Sequence, residues 1–223
     1  MNTNEKSDFA EKFNNFIQTK RKTIFIVLGA LVVILIGVIV FISIRDYANN
    51  KAIAEVEELN LKFEDIGYFL NDDDFSTEVN SFLEEVLLFA EKNSRFAGSK
   101  AWSIAASIYS ERLQWAQAEE AWLNSARVGN NTYLGPIALF NAAAAAEEQG
   151  KYERAIELLQ QSIDHVFEFP AAARAQFNIG RIYEHLGNYT AASEAYRNVI
   201  INWSEIPVWP QLARSRIAAI EIR

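Results

Sequence analysis

Enzymatic chemistry would need a nucleophile with a base, a cluster of metal ligands or a phosphate-binding loop, and this sequence of 223 residues shows no such arrangement. There is no cysteine, which excludes disulfides, thiol catalysis and cysteine-bound zinc. The histidines, His165 and His185, lie far apart, and no glycine-rich phosphate-binding motif occurs. Adjacent carboxylates recur, and we interpret them as solvated helix faces; they are Glu57-Glu58, Glu84-Glu85, Glu119-Glu120 and Glu147-Glu148. The sequence therefore predicts no enzyme, no cofactor and no metal site.

The remaining candidates for function are polar, basic and aromatic side chains that an extended peptide could use. Asparagine can hydrogen-bond a peptide backbone, while phenylalanine and arginine can stack on its side chains. A repeat, described next, assigns these residues to the inner face of an array of helices, where we predict a partner-binding groove. The predicted groove residues are Ser103, Phe140, Asn141, Arg174, Phe177, Asn178, Arg181 and Arg214. The alternative is a solvated inner face with incidental arginines.

The sequence repeats with a period of 37 residues, and this repeat is the basis for assigning these side chains to the inner face. Small residues recur at this spacing in two series, Ala106, Ala143 and Gly180, and Ala118, Ala155 and Ala192. Four positions after the second series come large residues, Trp122, Leu159 and Tyr196. Small residues recur where antiparallel helices cross closely, and large ones fill the space beside the crossing. The pattern predicts stacked helical hairpins.

These positions resemble the tetratricopeptide repeat, most completely in the third unit. The matching residues there are Ile179, Gly180, Tyr183, Gly187, Tyr189, Ala192 and Tyr196. The family's period is about 34 residues, so we expect about three extra residues in each unit, between one repeat and the next. Leu113 replaces a turn glycine, and prolines at 136, 170 and 210 are expected to open first helices. Residues 76–92 and 210–223 are predicted to be lone capping helices.

A membrane segment precedes the repeats. Ile24 to Ile44 is a run of 21 residues without a charge, which as a helix would cross the roughly 30 Å of bilayer hydrocarbon. A basic cluster, Lys20 to Lys22, precedes the run, so the N-terminus should stay in the cytoplasm. No small-residue cleavage site follows. We therefore predict an uncleaved signal anchor rather than a cleaved signal peptide.

The predicted fold is all-α, with one N-terminal transmembrane helix followed by an α-solenoid of about three tetratricopeptide repeats with capping helices. The predicted segments are 1–22, cytoplasmic, amphipathic and basic; 23–45, the anchor; 46–75, a juxtamembrane helix and acidic turn; and 76–223, the repeat domain. The first segment could lie among lipid headgroups through Phe9, Phe13 and Phe16, or be a partly ordered tail. An apolar stripe from Ala52 to Leu70 is expected to pack against the following helices rather than form a coiled coil. The acidic turn at 71–74 is interpreted as solvated, not as a calcium site.

Charge and layout narrow the possible partners. Beyond residue 22 the chain has 26 acidic and 16 basic residues. This excess of negative charge argues against nucleic acid as a ligand.

The layout resembles the YfgM-like ancillary subunits of the bacterial SecYEG translocon. That resemblance implies a single-pass inner-membrane protein with a periplasmic repeat domain, which binds exported or envelope proteins as a chaperone or translocon subunit. The alternative function is a structural adaptor for envelope assembly or division, which would act through self-association as a homodimer.

Overall fold

A computed structural model describes the backbone of residues 3–67, 76–205 and 208–222, and their side chains except those of residues 3–11 and 13. Every element in these ranges is an α-helix, which confirms the predicted all-α fold. The chain divides into two compact units, residues 1–51 and 52–223. In chain order the helices are α1 (Thr3–Ile66), α2 (Ser76–Lys92), α3 (Arg95–Glu111), α4 (Trp115–Val128), α5 (Leu134–Glu148), α6 (Tyr152–Ile163), α7 (Ala172–His185), α8 (Tyr189–Asn202) and α9 (Val208–Glu221).

Helix α1 contains a stretch that is long and apolar enough to cross a membrane. The mean hydropathy of its most apolar window is 3.4, and none of that window is buried. Phe25 and Ile34, for example, are 73% and 62% exposed. The helix is continuous across the predicted boundaries at residues 22 and 45. Several predicted features lie outside the described residues or side chains, namely Phe9, Phe13, Leu70 and the acidic turn at 71–74.

The end of α1 packs against α2 and α3 within the second unit. Ala52, Val56 and Leu59 are buried in one cluster with apolar residues of both helices. Lys62 on α1 also pairs with Glu85 on α2 at 2.9 Å. This confirms that the apolar stripe serves helix packing. Helix α2 packs in the same cluster as α3, as predicted for a capping helix at the front, and the end of α1 packs beside it.

Three helical hairpins follow, each made of a first and a second helix: α3 with α4, α5 with α6, and α7 with α8. Three residues join the helices of each hairpin, and these turns recur 37 residues apart. The connections between hairpins are longer, with five residues after α4 and eight after α6, so the extra residues lie where they were predicted. Pro136 and Pro210 lie in the first turns of α5 and α9, whereas Pro170 precedes α7 by two residues.

The helices of each hairpin meet at the small residues. Ala118, Ala155 and Ala192 are fully buried. In the third hairpin, a Cβ placed on Gly180 would lie 2.6 Å from Cε1 of Tyr196, so only glycine lets the ring approach so closely. The last helix, α9, buries Ala213 in one cluster with Tyr196. It therefore covers the third hairpin, as predicted for a C-terminal cap.

The turn after α3 holds a leucine in the left-handed conformation. Leu113 has φ 57°, and its counterparts one and two periods on, Gly150 and Gly187, have φ 72° and 74°. That conformation costs a non-glycine residue roughly 1–2 kcal/mol, and the Leu113 side chain is 69% exposed. We expect Leu113→Gly to raise the free energy of unfolding by about 1 kcal/mol in urea titrations of the protein in detergent.

The matched control is Leu186→Gly. Leu186 also lies in a repeat turn and is partly exposed, but its φ is −74°. Glycine gains nothing there and should lower the free energy of unfolding by roughly 0.5–1 kcal/mol. Equal effects of the two substitutions would contradict the role assigned to the conformation of Leu113.

Candidate functional site

A cavity of about 370 Å³ opens between the first helices α5 and α7. Four of the predicted groove residues line it, namely Phe140, Arg174, Asn178 and Arg181. Glu147 and Glu148 of α5 complete its polar lining. We call this cavity the α5–α7 groove. The cavity is lined mainly by residues of the first helices, α5 and α7.

Arg181 is fixed at one end of the groove by Glu147. Its two terminal nitrogens donate to the two carboxylate oxygens, each at 2.6 Å. The hydrogen bond to Glu147 raises the pKa of Arg181 above its usual value, and burial opposes this only in part. The guanidinium is therefore charged and held in one plane. Such a two-point pair orients arginine more firmly than a single contact would.

Arg174 lies over the ring of Phe140, with its guanidinium carbon 5.3 Å from the ring centroid. Phe140 is held from another side by Phe169, with ring centroids 5.5 Å apart. A cation over an aromatic face is attracted by the ring's quadrupole. The side chain of Arg174 is thus directed along the groove while the residue remains exposed.

Arg174, Asn178 and Arg181 form a row of hydrogen-bond donors along α7. Their spacing of four and three residues places them on one face of the helix. A guanidinium, an amide and a second guanidinium therefore follow one another beside an aromatic ring. This row can donate to the backbone carbonyls or carboxylates of an extended peptide.

The other predicted groove residues do not line this cavity. Ser103 donates to the backbone oxygen of Ser99 at 3.1 Å and lies 2.8 Å from Oγ of Ser125, so it belongs to the crossing of α3 and α4. Asn141 is half-buried and Arg214 is exposed, and neither lines the groove.

Phe177 was assigned to the groove, but the structure places it in the packing of the third hairpin. Its ring centroid lies 5.2 Å from that of Tyr196 and 5.6 Å from that of Trp209. The reason is its position three residues before Gly180, which puts both residues on the side of α7 that meets α8. Phe177 therefore contributes to the packing of α7, α8 and α9.

The interpretation of the carboxylate pairs as solvated faces is wrong for two members, Glu119 and Glu147. Glu119 is 8% exposed and accepts hydrogen bonds from Gln149 at 2.8 Å and Lys151 at 2.9 Å. Glu147 binds Arg181, as described above. One period later Glu184 binds Arg216. The sequence did contain a signal for these two ion pairs. An arginine follows Glu147 by 34 residues, and another follows the equivalent Glu184 by 32 residues.

Both histidines have packing contacts. His165 Nδ1 accepts the backbone N–H of Phe167 at 3.1 Å, and partial burial lowers the pKa of His165. The ring of His185 lies 4.7 Å from that of Tyr152. In the part of the chain that the structure describes, no three histidine, aspartate or glutamate side chains are grouped so as to hold a metal ion.

Comparison with known proteins agrees with this architecture. Residues 105–165 and 148–205 match the tetratricopeptide repeat family model. A TPR repeat-containing protein of Treponema pallidum (strain Nichols) is 36% identical over 129 residues, which cover 57% of this chain and 52% of the relative. The chain thus spans about half the length of this curated relative.

Two crystal structures share the fold. Both contain nearly identical TPR-like repeats assigned to a kinesin light chain of Podosopora anserina, one of them as a point variant. Their TM-scores are 0.56 and 0.57 at 17% identity, over 74% of this chain and 86% and 85% of theirs. Likeness at this identity shows the fold alone. Residues 105 to 205 are therefore a tetratricopeptide-repeat array. Such arrays are scaffolds for protein–protein interaction.

Proposed function

We propose that this protein is a membrane-anchored scaffold that binds extended segments of other proteins in the α5–α7 groove. The main observation is the row of Arg174, Asn178 and Arg181 beside Phe140. An extended client exposes backbone carbonyls, carboxylates and apolar side chains. The row donates to the first two, and the Phe140 ring contacts the third. Recognition of this kind is broad and weak, because no contact demands a particular sequence.

We further propose that the protein resides in a bacterial inner membrane, with its N-terminus in the cytoplasm and the repeats in the periplasm. The support is the unburied apolar stretch of α1 and the basic cluster from Lys20 to Lys22. The resemblance of the layout to YfgM-like subunits favours clients that are exported or envelope proteins. The protein would serve them as a chaperone or as an accessory subunit of the Sec translocon.

A structural adaptor for envelope assembly or division is the second candidate. It would act by self-association through the anchor. A Cβ at Gly29 or Gly37 would meet nothing within 4 Å, so this face of α1 is open to a second helix. The apolar stripe from Ala52 to Leu59 is already buried within the second unit, and it therefore does not support self-association.

Replacing Arg174 and Asn178 together by alanine tests the groove. We expect capture of an unfolded, fluorescently labelled client to fall about tenfold, since two donors are lost. The melting temperature should change little, because Arg174 is exposed and Asn178 is only half-buried. The matched control is Arg127→Ala with Asn124→Ala, which removes the same side-chain types from α4, outside the groove.

The control variant should capture the client as the unaltered protein does. If instead the Arg174 and Asn178 variant captures normally, and capture is lost when the stretch from Ile24 to Ile44 is exchanged for an unrelated anchor, then the membrane segment binds the client. That result would favour the adaptor function.

Protease accessibility tests the orientation. Protease added to spheroplasts should remove everything after about Arg45, because we place the repeats outside the cytoplasm. An antibody against the N-terminal segment would then detect a short protected fragment. Protection of the repeats in intact spheroplasts, with digestion only after lysis, would contradict the proposed orientation.

A further inference from the structure

A second and larger cavity lies between the second helices α6 and α8. Its volume is about 930 Å³, near the upper end of the roughly 300–1,000 Å³ that is usual for ligand clefts. We call it the α6–α8 cleft. It shares no lining residue with the α5–α7 groove. The client-binding function proposed above therefore does not account for it.

The floor of the cleft is apolar. It is formed by Leu139, Ile156, Ile179 and Tyr183. Ile179 is buried, while the other three are partly buried and pack against the core of the second and third hairpins. Val166, 82% exposed, stands at the edge of the same cleft. Such a surface favours apolar side chains from a partner, since their transfer out of water is favourable.

The walls of the cleft are acidic. Glu157 and Asp164 belong to α6 and its end, and Glu194 faces them from α8. Two glutamine amides hold the first two carboxylates: Gln161 donates to Glu157 at 3.1 Å and Gln160 donates to Asp164 at 2.9 Å. Arg154 also pairs with Glu157, but it does not line the cleft.

No lysine or arginine is among the described residues that line the cleft. Among these described lining residues, His165 is the one group that could become cationic near neutral pH, and burial lowers the pKa of His165. The walls therefore attract a positively charged partner.

The form of the partner follows from the walls. The α5–α7 groove offers arginine and asparagine donors to the backbone of an extended chain. In the α6–α8 cleft, the amides of Gln160 and Gln161 are already bonded to Asp164 and Glu157, and the helical walls present no strand edge. A partner that satisfies its own backbone hydrogen bonds therefore fits this cleft better, and a helix does so. Along α6 the lining runs from Ile156 to Asp164. At about 1.5 Å per residue this equals roughly 12 Å, or about two turns of a helical partner.

We propose that the α6–α8 cleft binds an amphipathic, basic helix of a partner protein. Apolar residues at helical spacing lie on the floor, and lysine or arginine residues on both flanks meet Glu157, Asp164 and Glu194. The scaffold then has two separate sites, one for an extended client and one for a helical partner.

The test uses the full-length protein in nanodiscs of zwitterionic phosphatidylcholine. The probe is a fluorescent helical peptide of leucine, alanine and lysine, compared with a twin in which glutamate replaces every lysine. Fluorescence polarisation at low salt should show the lysine peptide binding at least about tenfold more tightly than the twin. Equal binding of the two peptides would overturn the proposal.

Asp164→Lys with Glu194→Lys should weaken binding of the lysine peptide by about tenfold, because two attractions become repulsions. The matched control is Glu120→Lys with Glu153→Lys, which makes the same change of net charge at positions outside the cleft. The control should change affinity less than about twofold at moderate salt. Equal losses in both variants would show attraction to net charge alone and would overturn the proposal.

If the charge reversals disturb folding, a variant that blocks the cleft sterically tests the proposal instead. Ala191 lines the cleft and is partly exposed, so Ala191→Phe fills space there without entering the core. It should abolish peptide binding while the unfolding transition stays unchanged. If Ala191→Phe binds normally, or if the Arg174 and Asn178 variant loses the peptide instead, the helix lies elsewhere and the proposal fails.

Discussion

Replacing Glu184 with alanine is expected to lower the free energy of unfolding by about 2 kcal/mol. Its carboxylate is 7% exposed and joins three helices. It accepts the hydroxyl of Tyr196 on α8 at 3.1 Å and Nε of Arg216 on α9 at 3.0 Å. Removal leaves the buried Tyr196 hydroxyl without this acceptor, while Arg216, 45% exposed, can regain water. Urea titration of the protein in detergent would measure the loss.

The repeat supplies a matched control one period earlier. Glu147 pairs with Arg181 in the same way, but that pair is more exposed, at 25% and 45%. Glu147→Ala should therefore cost only about 0.5 kcal/mol. Tyr196→Phe in the Glu184→Ala background should cost less than in the unaltered protein, because the hydroxyl no longer has its acceptor. Strict additivity of these two changes would contradict the bond.

The same tyrosine gives a pH dependence. Burial, and then the Glu184 charge, raise the pKa of Tyr196 to about 12. The tyrosine of the unfolded chain ionises near pH 10, so the unfolded state loses its proton first. The contribution of Tyr196 to stability is therefore complete below about pH 10 and is lost as the pH rises toward 12. Tyr196→Phe should flatten this part of the stability profile.

Gly180→Ala is expected to lower the free energy of unfolding by about 1–2 kcal/mol, because the added methyl group would collide with the Tyr196 ring. The built Cβ lies 2.6 Å from Cε1 and 2.7 Å from Cδ1 of that ring. The ring cannot turn aside easily, because Tyr196 is fully buried. The collision must also exceed the roughly 1 kcal/mol by which alanine favours a helix over glycine.

Two further variants decide whether the collision is the cause. A Cβ at Gly67 would meet nothing within 4 Å, so Gly67→Ala should be neutral or slightly stabilising. Tyr196→Leu should relieve part of the cost of Gly180→Ala, since it recreates the pair Ala143 and Leu159 of the preceding hairpin. If the double variant is as unstable as the sum of the single ones, the cost has another origin.

The sequence predicted the repeats well because their signals are local. Small residues at close crossings, glycines in left-handed turns and apolar stripes each follow from one segment and its period. The sequence also showed that Leu113 replaces the turn glycine of the repeat. Only the structure showed that the turn still forms, with the leucine in the left-handed conformation.

The candidate site was predicted only in part, because side-chain pairing between helices is not a local property. Glu147 and Glu148 are adjacent in the sequence, but Glu147 binds Arg181, 34 residues later, whereas Glu148 is exposed. The local sequence does not distinguish these two carboxylates. Phe177 was placed in the groove from its position in the repeat alone. Its contacts with Tyr196 and Trp209 depend on the absence of a side chain at Gly180 and on the presence of α9.

The crossing of Gly180 with Tyr196 bears on how the array avoids misassembly. Repeats of similar sequence can exchange helices during folding, so that one first helix pairs with the wrong second helix. Here the equivalent pairs differ in size, with Ala143 and Leu159 in one hairpin and Gly180 and Tyr196 in the next. If α5 paired with α8, the Tyr196 ring would meet the methyl group of Ala143. If α7 paired with α6, Leu159 would leave a void beside Gly180. Helices α5 and α7 therefore differ in the size of the second-helix side chain that they accommodate, and these two hairpins are not interchangeable modules.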